Sequence, residues 1–351
     1  MAPNILIIGA GPAGCAAAIF LTQAGFQITV VDRGDPGEHN TTVFKVGESL
    51  PPTAKTLLDQ LGIWESFQNA GHLKCFNNRS YWYSEQPTFT DFITQPPGYG
   101  WHLDRPAFDR QLVRETQSNG VVLKGATKVK AADYDGNKWS VILESADGQT
   151  QSGAYDFIVD ASGRNSWLAR RLGVERMIED RQLALVTWLQ TTHSVADASS
   201  LIETTPHGWW YTANIPGDRM ATAFICKPNK AQRTLWQTPD GWSALLAAAP
   251  HTEQRISEGE GSLLTPATFV AADSGILSQT CGPGWIAVGD AAMTYDPIAS
   301  HGILMAMVSA RDAAKAILAS YRGSPNAFEE YDEVMSEAFY VYVKERLKFY
   351  R

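Results

Sequence analysis

Gly9, Gly11 and Gly14 follow an apolar run, Ile5–Ile8, with the spacing Gly-x-Gly-x-x-Gly, and Asp32 closes a second apolar run, Ile28–Val31. Residues of these types at these intervals could hold a pyrophosphate and a ribose. The glycines permit a tight turn, bring backbone N–H groups close to a phosphate and let a helix pack closely on a strand. Pro12 and Ala13 open that helix, and its first-turn amides and dipole face the anion. Asp32, with Arg33 beside it, stands where a carboxylate can accept from an adenosine ribose hydroxyl.

A second pair of acids lies near the far end. Trp285–Val288 reads as a short strand ending in Gly289-Asp290, and Asp296-Pro297-Ile298-Ala299-Ser300-His301-Gly302 follows as a turn. Gly302 and Ile303 begin a helical pattern that runs to Ile317. An acid at a strand's C-terminal end can hold a sugar-alcohol hydroxyl, which FAD carries in its ribityl chain and NAD lacks. The helix start at Gly302 can direct its positive end toward a flavin pyrimidine carbonyl, where reduction builds negative charge. FAD is the dinucleotide these two motifs select together.

These residues need a strand–turn–helix–strand unit at one end of the chain and a returning strand and helix at the other. Between them, Val121–Lys130, Trp139–Glu144 and Tyr155–Val159 read as strands. The chain divides without a visible linker: an FAD-binding domain over 1–70, 104–172 and 276–325, and a substrate domain over 71–103 and 173–275. Residues 326–351 read as one amphipathic helix, apolar at Phe328, Tyr331, Val334, Met335 and Phe339, whose aromatics cap the core or bind a partner. The expected class is α/β with α+β elements: a Rossmann-like FAD-binding domain interleaved with a β-sheet substrate domain, then a C-terminal helix.

At 351 residues the chain can bury a large core. Its 37 acids and 29 bases give a net charge of −8 without a basic cluster, which argues against a nucleic-acid partner. Four cysteines, Cys15, Cys75, Cys226 and Cys281, have no metal-like spacing, so no metal is expected. No apolar run approaches the ~20 residues that span a bilayer, so no membrane role and a cytoplasmic location are the expectation. Neither a nucleophile-elbow serine, a zinc signature nor a Walker loop is present, and no second Gly-x-Gly-x-x-Gly marks a separate NAD(P)H domain. Electrons therefore come from NAD(P)H docking transiently or from another reductant delivered by an electron-donor partner, with O2 as cosubstrate.

The Gly289-Asp290 strand end and Asp296-Pro297 turn resemble the FAD monooxygenase superfamily, which includes p-hydroxybenzoate hydroxylase and the flavin-dependent halogenases. Asp104-Arg105-Pro106-Ala107-Phe108-Asp109 resembles its D-R-x-x-F-D element, whose Arg contacts FAD; this implies that Arg105 does so. Asp160-Ala161-Ser162-Gly163 resembles the strand and turn that pass the pyrophosphate, and Gly47-Glu48-Ser49 the loop that touches the flavin. The resemblance also places Pro297 and Ser300 beside the isoalloxazine ring. These elements span residues 5–317 in family order and imply a fold of the p-hydroxybenzoate hydroxylase type.

In the halogenase branch a catalytic Lys lies eight residues before a Trp, and Lys74 precedes Trp82 by eight. That branch also carries W-x-W-x-I-P. Here, counting back from Ile215-Pro216, its Trp positions hold Tyr211 and Ala213, which argues against halogenation and leaves Lys74 catalytic or merely a surface lysine. The G-E-S-x-P-P loop, the Gly208-Trp209-Trp210-Tyr211 strand, the D-P-x-x-S-H-G turn and the Phe349-Tyr350-Arg351 ending resemble a narrower group, the LodB/GoxB-type modifying flavoproteins. The group is encoded beside quinoprotein amino-acid oxidases and oxygenates a Trp of the oxidase precursor on the way to cysteine tryptophylquinone. The resemblance implies that precursor as protein substrate. A small aromatic hydroxylase, a halogenase and a flavin-dependent chaperone are the alternatives.

A protein substrate suits two features: the chain lacks the long C-terminal extension of many hydroxylases, and an aromatic wall of Trp101-His102, His207 and Trp209-Trp210-Tyr211 could stack an indole. The same tryptophans could be strand core. His301 could handle protons at the flavin or only shape the turn, and Asp296 could do acid–base work or only orient it.

Overall fold

Asn4–Ile8 forms the first strand because its apolar run is covered on both faces, as a strand inside a parallel sheet must be; Ile5, Leu6 and Ile7 have no solvent exposure. A computed structural model describes residues 2–36, 47–192 and 197–350. The strand pairs in parallel with Gln27–Val31 on one side and Phe157–Asp160 on the other, with Ile8 opposite Val31 and Asp160. This register brings three strand ends, and therefore Gly9, Asp32 and Ala161, to one edge. Trp285–Ala287 continues the parallel set beyond Phe157–Asp160, Val122–Lys124 closes the other side, and Cys281–Gly282 adds an antiparallel edge.

Helix Pro12–Gln23 packs on this sheet and against helices Arg105–Ser118 and Gly302–Tyr321. Alanines at the contacts, Ala16, Ala17, Ala306, Ala310 and Ala313, let the backbones approach. Two expected strands are each split in the structure. Val121–Lys130 breaks at Gly125-Ala126, where Ala126 adopts φ +47°, into Val122–Lys124 of the parallel sheet and Thr127–Tyr134 of an antiparallel meander with Trp139–Ser145 and Thr150–Tyr155. Tyr155–Val159 breaks at Asp156, whose carboxylate accepts from Asn4 N–H at 2.8 Å, and Phe157–Asp160 turns into the parallel sheet.

An eight-stranded sheet forms the second layer. Its order is Ser262–Leu263, Leu183–Gln190, Arg219–Cys226, Gly208–Ile215, Ser200–Thr205, Asn77–Tyr81 and Thr88–Asp91, with Thr268–Ala271 also paired to Leu183–Gln190. Helices Lys230–Trp236 and Pro239–Ala247 cover one face through Trp210, Phe224, Trp236 and Trp242. The other face presents Ala184, Ala223 and Tyr211 toward the ends of the first sheet. A small sheet of Ser49–Leu50, Gly100–His102 and Leu73–Cys75 lies between the layers in sequence.

The C-terminal helix spans Ala327–Arg346 rather than the whole of 326–351, and Arg351 lies outside the described residues. Tyr331 and Met335 are buried while Val334 is 52% exposed, so the apolar stripe is narrower than the sequence suggested. The aromatics cap the core: Phe328 stacks on Phe157 at 5.4 Å, and Tyr331 donates to Ala287 C=O at 2.8 Å. Among the described residues no helix is long and apolar enough to cross a membrane, and no group of side chains could hold a metal ion.

Tyr331→Ala should therefore lower unfolding free energy by about 3–5 kcal/mol, while Tyr331→Phe should cost only about 1–2 kcal/mol for the lost hydrogen bond. Urea titration monitored by fluorescence measures both; equal losses would mean that the ring contributes nothing.

Candidate functional site

The edge where the parallel strands end opens into a cavity of ≈460 Å³. One end is Gly11, Pro12, Ala13, Gly163, Arg164 and Asp290; a side is Gly47, Glu48, Ser49 and Arg105. The Asp296–Ile303 turn and helix start contribute Pro297, Ser300, His301, Gly302 and Ile303. The eight-stranded sheet closes it with Ala184, Tyr211, Ala221 and Ala223, whose small side chains leave the space open. Segments expected separately from the two ends of the sequence thus meet in one place.

Backbone geometry explains the glycines. Gly9 has φ +109°, and a Cβ there would lie 2.4 Å from Ala161 C=O. A Cβ on Gly14 would lie 1.9 Å from Gly9 C=O, so glycine is the residue that lets the helix approach the strand. A Cβ on Gly11 would meet no protein atom within 4 Å; it would project into open cavity. The helices at Pro12 and Gly302 both begin on the cavity wall without a side-chain cap, leaving first-turn N–H groups for an anion or a polarised carbonyl.

Asp32 accepts from Ala10 N–H at 2.7 Å and Gly34 N–H at 2.8 Å, which holds it at the strand end with acceptor capacity remaining; Arg33 is exposed and off the cavity wall. Asp290 is 42% exposed at its side chain, 3.5 Å from the Arg164 guanidinium. Arg176, which no motif announced, fixes this turn by donating to the carbonyls of Asp290 and Ala291, both at 2.8 Å. Arg105 donates to Gly47 C=O at 2.8 Å and pairs with Asp109 at 3.3 Å, so the D-R-x-x-F-D helix supports the Gly47–Ser49 loop. Gly289, at φ +58° and 2.7 Å by its Cβ direction from Ala13, packs the second motif against the first.

Several expected site residues have other work. Asp160 is fully buried and accepts from Ser162 N–H and hydroxyl and from Leu168 and Ala169 N–H groups, so it caps the following helix and leaves its neighbours Ala161 and Gly163 to face the cavity. Asp296 borders the cavity, yet its carboxylate is saturated. It accepts from Ile298 N–H at 2.9 Å, Gln182 at 2.7 Å, Arg346 at 3.0 Å and Tyr350 hydroxyl at 2.8 Å. Such a carboxylate orients the turn and has no lone pair left for acid–base work. Lys74 is exposed outside the cavity, its ammonium 4.3 Å above the Tyr99 ring, which corrects the catalytic expectation for it.

The aromatic wall does not assemble. Period-two alternation sends Trp210 to the far face, edge-on to Trp242 at 4.9 Å, and Trp209 and Tyr211 to the near face. Trp209 is buried and donates to Tyr350 hydroxyl at 2.8 Å, so of the proposed wall only Tyr211 lines the cavity. Trp101 packs with Trp64, Phe67 and Tyr99 in the core, and exposed His207 sits beside Trp236.

Three titratable groups are strongly biased. Burial raises the Glu48 carboxyl to about 7, with Arg105, backbone N–H groups and the Trp188 indole offsetting part of the rise. Burial lowers His102 to about 3, and its Nε2 lies 2.9 Å from Ser200 hydroxyl, so this imidazole is neutral. His301, at the cavity mouth, is also lowered by desolvation.

The chain matches the family model described as FAD binding domain over residues 3–338. It is 26% identical to the FAD-dependent oxidoreductase LodB of Marinomonas mediterranea, covering 99% of this chain and 92% of that protein. It is 28% identical to a tryptophan 2-halogenase of Chondromyces crocatus over 93% of this chain and 64% of the halogenase. Its fold superposes on the flavin-dependent halogenase CmlS with a TM-score of 0.88 (25% identity; 97% of this chain, 63% of CmlS). The peptidyl tryptophan dihydroxylase QhpG, essential for tryptophylquinone cofactor biogenesis, shares the fold at a TM-score of 0.77 (23% identity; 100% of this chain, 75% of QhpG).

Two glycines give separable outcomes. Gly11→Val should leave folding intact and abolish FAD retention, whereas Gly14→Val should fail to fold; flavin absorbance and circular dichroism of each purified variant decide. Flavin-replete Gly11→Val would refute the pyrophosphate assignment. His102, neutral when folded, gives stability that is full above its unfolded pKa of about 6.5 and falls by about 1.4 kcal/mol per pH unit below it. Urea midpoints at pH 7 and pH 5 should therefore diverge less in His102→Asn than in the parent chain.

Proposed function

We propose that this chain, which belongs to the FAD binding domain family and is an FAD-dependent oxidoreductase, oxygenates a tryptophan side chain of a partner protein, the precursor of a quinoprotein amino-acid oxidase. The observation that carries the reading is the cavity itself: two uncapped helix starts and an alanine-lined sheet face enclose a space with room beside the dinucleotide for a flat aromatic. The near-full-length relation to LodB supports a modifying role, and the name of the fold neighbour QhpG supplies the class of reaction.

Bound FAD, once reduced, supplies the two electrons with which one oxygen atom of O2 enters a substrate and the other leaves as water. The chain's own residues bind and exclude water. In this reading Gly11, Pro12 and Ala13 present amides to the pyrophosphate, Asp32 takes the ribose and Asp290 the ribityl hydroxyls. Gly47–Ser49, Arg105, Pro297 and Ser300 border the ring, and the Gly302-Ile303 helix start polarises its pyrimidine side. The FAD-binding part is 1–70, 104–172 and 276–325, and the substrate part is 71–103 and 173–275. His301 exchanges protons with solvent at the mouth, a role open to a neutral imidazole. NAD(P)H or a reductant carried by a partner provides the electrons.

Hydroxylation of a small free aromatic is the second reading, favoured by the apolar alanine wall, which would accept a free ring equally well. Halogenation is disfavoured because Lys74 is turned to Tyr99 outside the cavity.

Mass spectrometry of a neighbouring oxidase precursor, coexpressed with and without this chain, tests the proposal. Oxygen mass on one Trp, lost with Gly11→Val, is the expected result. An unmodified precursor, with reductant and oxygen supplied, together with NAD(P)H oxidation stimulated by a free phenol or indole, would replace it with the second reading.

A further inference from the structure

Glu48 was expected only as part of a loop touching the flavin, but its surroundings assign it elsewhere. The residue is 4% exposed, and no protein group hydrogen-bonds its Oε1, while Oε2 receives only a long bond, 3.3 Å, from Gly47 N–H. Its electrostatic neighbours include Trp188 and Tyr211, from two strands of the eight-stranded sheet. The carboxyl therefore lies at the sheet end of the cavity, where Ala184, Ala221 and Ala223 leave room, and away from the pyrophosphate end at Gly11. The Tyr211 hydroxyl faces the same space and likewise has no protein partner.

A buried acceptor without a donor is costly, and native interiors retain one where a ligand completes it. We propose that Glu48 is the specificity-determining residue for the substrate: its Oε1 accepts a hydrogen bond from the ring N–H of an indole-class aromatic seated against Tyr211 and the alanine face. This rests on the tryptophan reading above and adds the atom that recognises the ring. The arrangement has a chemical use. A carboxylate on the ring N–H pushes electron density from nitrogen into the ring, raising its nucleophilicity toward oxygen, and no bond to nitrogen need break. It also rejects rings that lack a donor, because they would strand the carboxyl. Tyr211 supports the same ring from its side and can donate to a polar group on it.

The test is calorimetric titration of the oxidised, FAD-loaded protein with indole, 1-methylindole, phenol and anisole, for the parent chain and for Glu48→Leu, Glu48→Gln and Tyr211→Phe. The parent should prefer indole to 1-methylindole by about 100-fold. Glu48→Leu should bind both indoles within about threefold of one another. Glu48→Gln, which keeps shape and a neutral acceptor, should fall between them and reports the same effect if Glu48→Leu loses flavin. Tyr211→Phe should keep the indole preference. Unchanged preference in both Glu48 variants would overturn the assignment, as would failure of the parent to bind any of the four probes. Preference for phenol over anisole, lost with Glu48, and no binding of indole would uphold Glu48 as the donor-reading residue while overturning the tryptophan reading.

Discussion

The structure depends on one close approach. Gly14 lies against Gly9 C=O so tightly that a single carbon would sit 1.9 Å from that oxygen. That contact seats the Pro12–Gln23 helix on the parallel sheet and aims its start at the strand ends. Helix Gly302–Tyr321 then packs on the first, and Gly289, 2.7 Å by its Cβ direction from Ala13, holds the second motif to it. Two helix starts reach one cavity because each link is a glycine or alanine contact. A larger side chain at any of them would separate the phosphate end from the ring end.

The second organising element is a buried charge. Asp296 receives Gln182 from the start of a sheet strand, Arg346 from the end of the last helix and Tyr350 beyond it. Arg346 also pairs with Asp180, and Tyr342 donates to the segment through its contact with Asp296 N–H at 2.7 Å, accepting there with its hydroxyl oxygen. A carboxylate without exposure is tolerable only with such partners, and removing one leaves an uncompensated charge. The turn beside the ring is therefore held by three distant segments rather than by its own Asp-Pro sequence. Catalytic chemistry assigned to Asp296 from its position conflicts with that saturation.

Much of this was legible in the sequence where the signal is local. The glycine spacing, the apolar strands and the Gly289-Asp290 strand end each depend on neighbours within a few residues, and they led to the observed parallel sheet and to the FAD family. The strand splits at Ala126 and Asp156 were missed because a continuous apolar run hides a change of sheet. The tryptophan wall was misread by ignoring the period of two: adjacent Trp209 and Trp210 must point to opposite faces. The partners of Asp296 stand 114, 50 and 54 residues away, so no spacing rule could have found them. Arg176 likewise reaches Asp290 across 114 residues.

Polarity divides the cavity and decides how a ligand can enter it. The Gly11 and Asp290 end collects the first helix start and the Arg164 guanidinium, all favourable to phosphate. The sheet end holds Glu48, with the Tyr211 hydroxyl and the neutral His102 behind it, and no cation is drawn from the eight-stranded sheet into the cavity wall. An anionic dinucleotide is attracted at one end and repelled at the other, so a single orientation is favoured before any shape is read. The end it avoids is apolar except for one carboxyl that lacks a donor. Discrimination there must come from whether the incoming ring can supply a proton donor, because alanine methyl groups distinguish flat aromatics weakly.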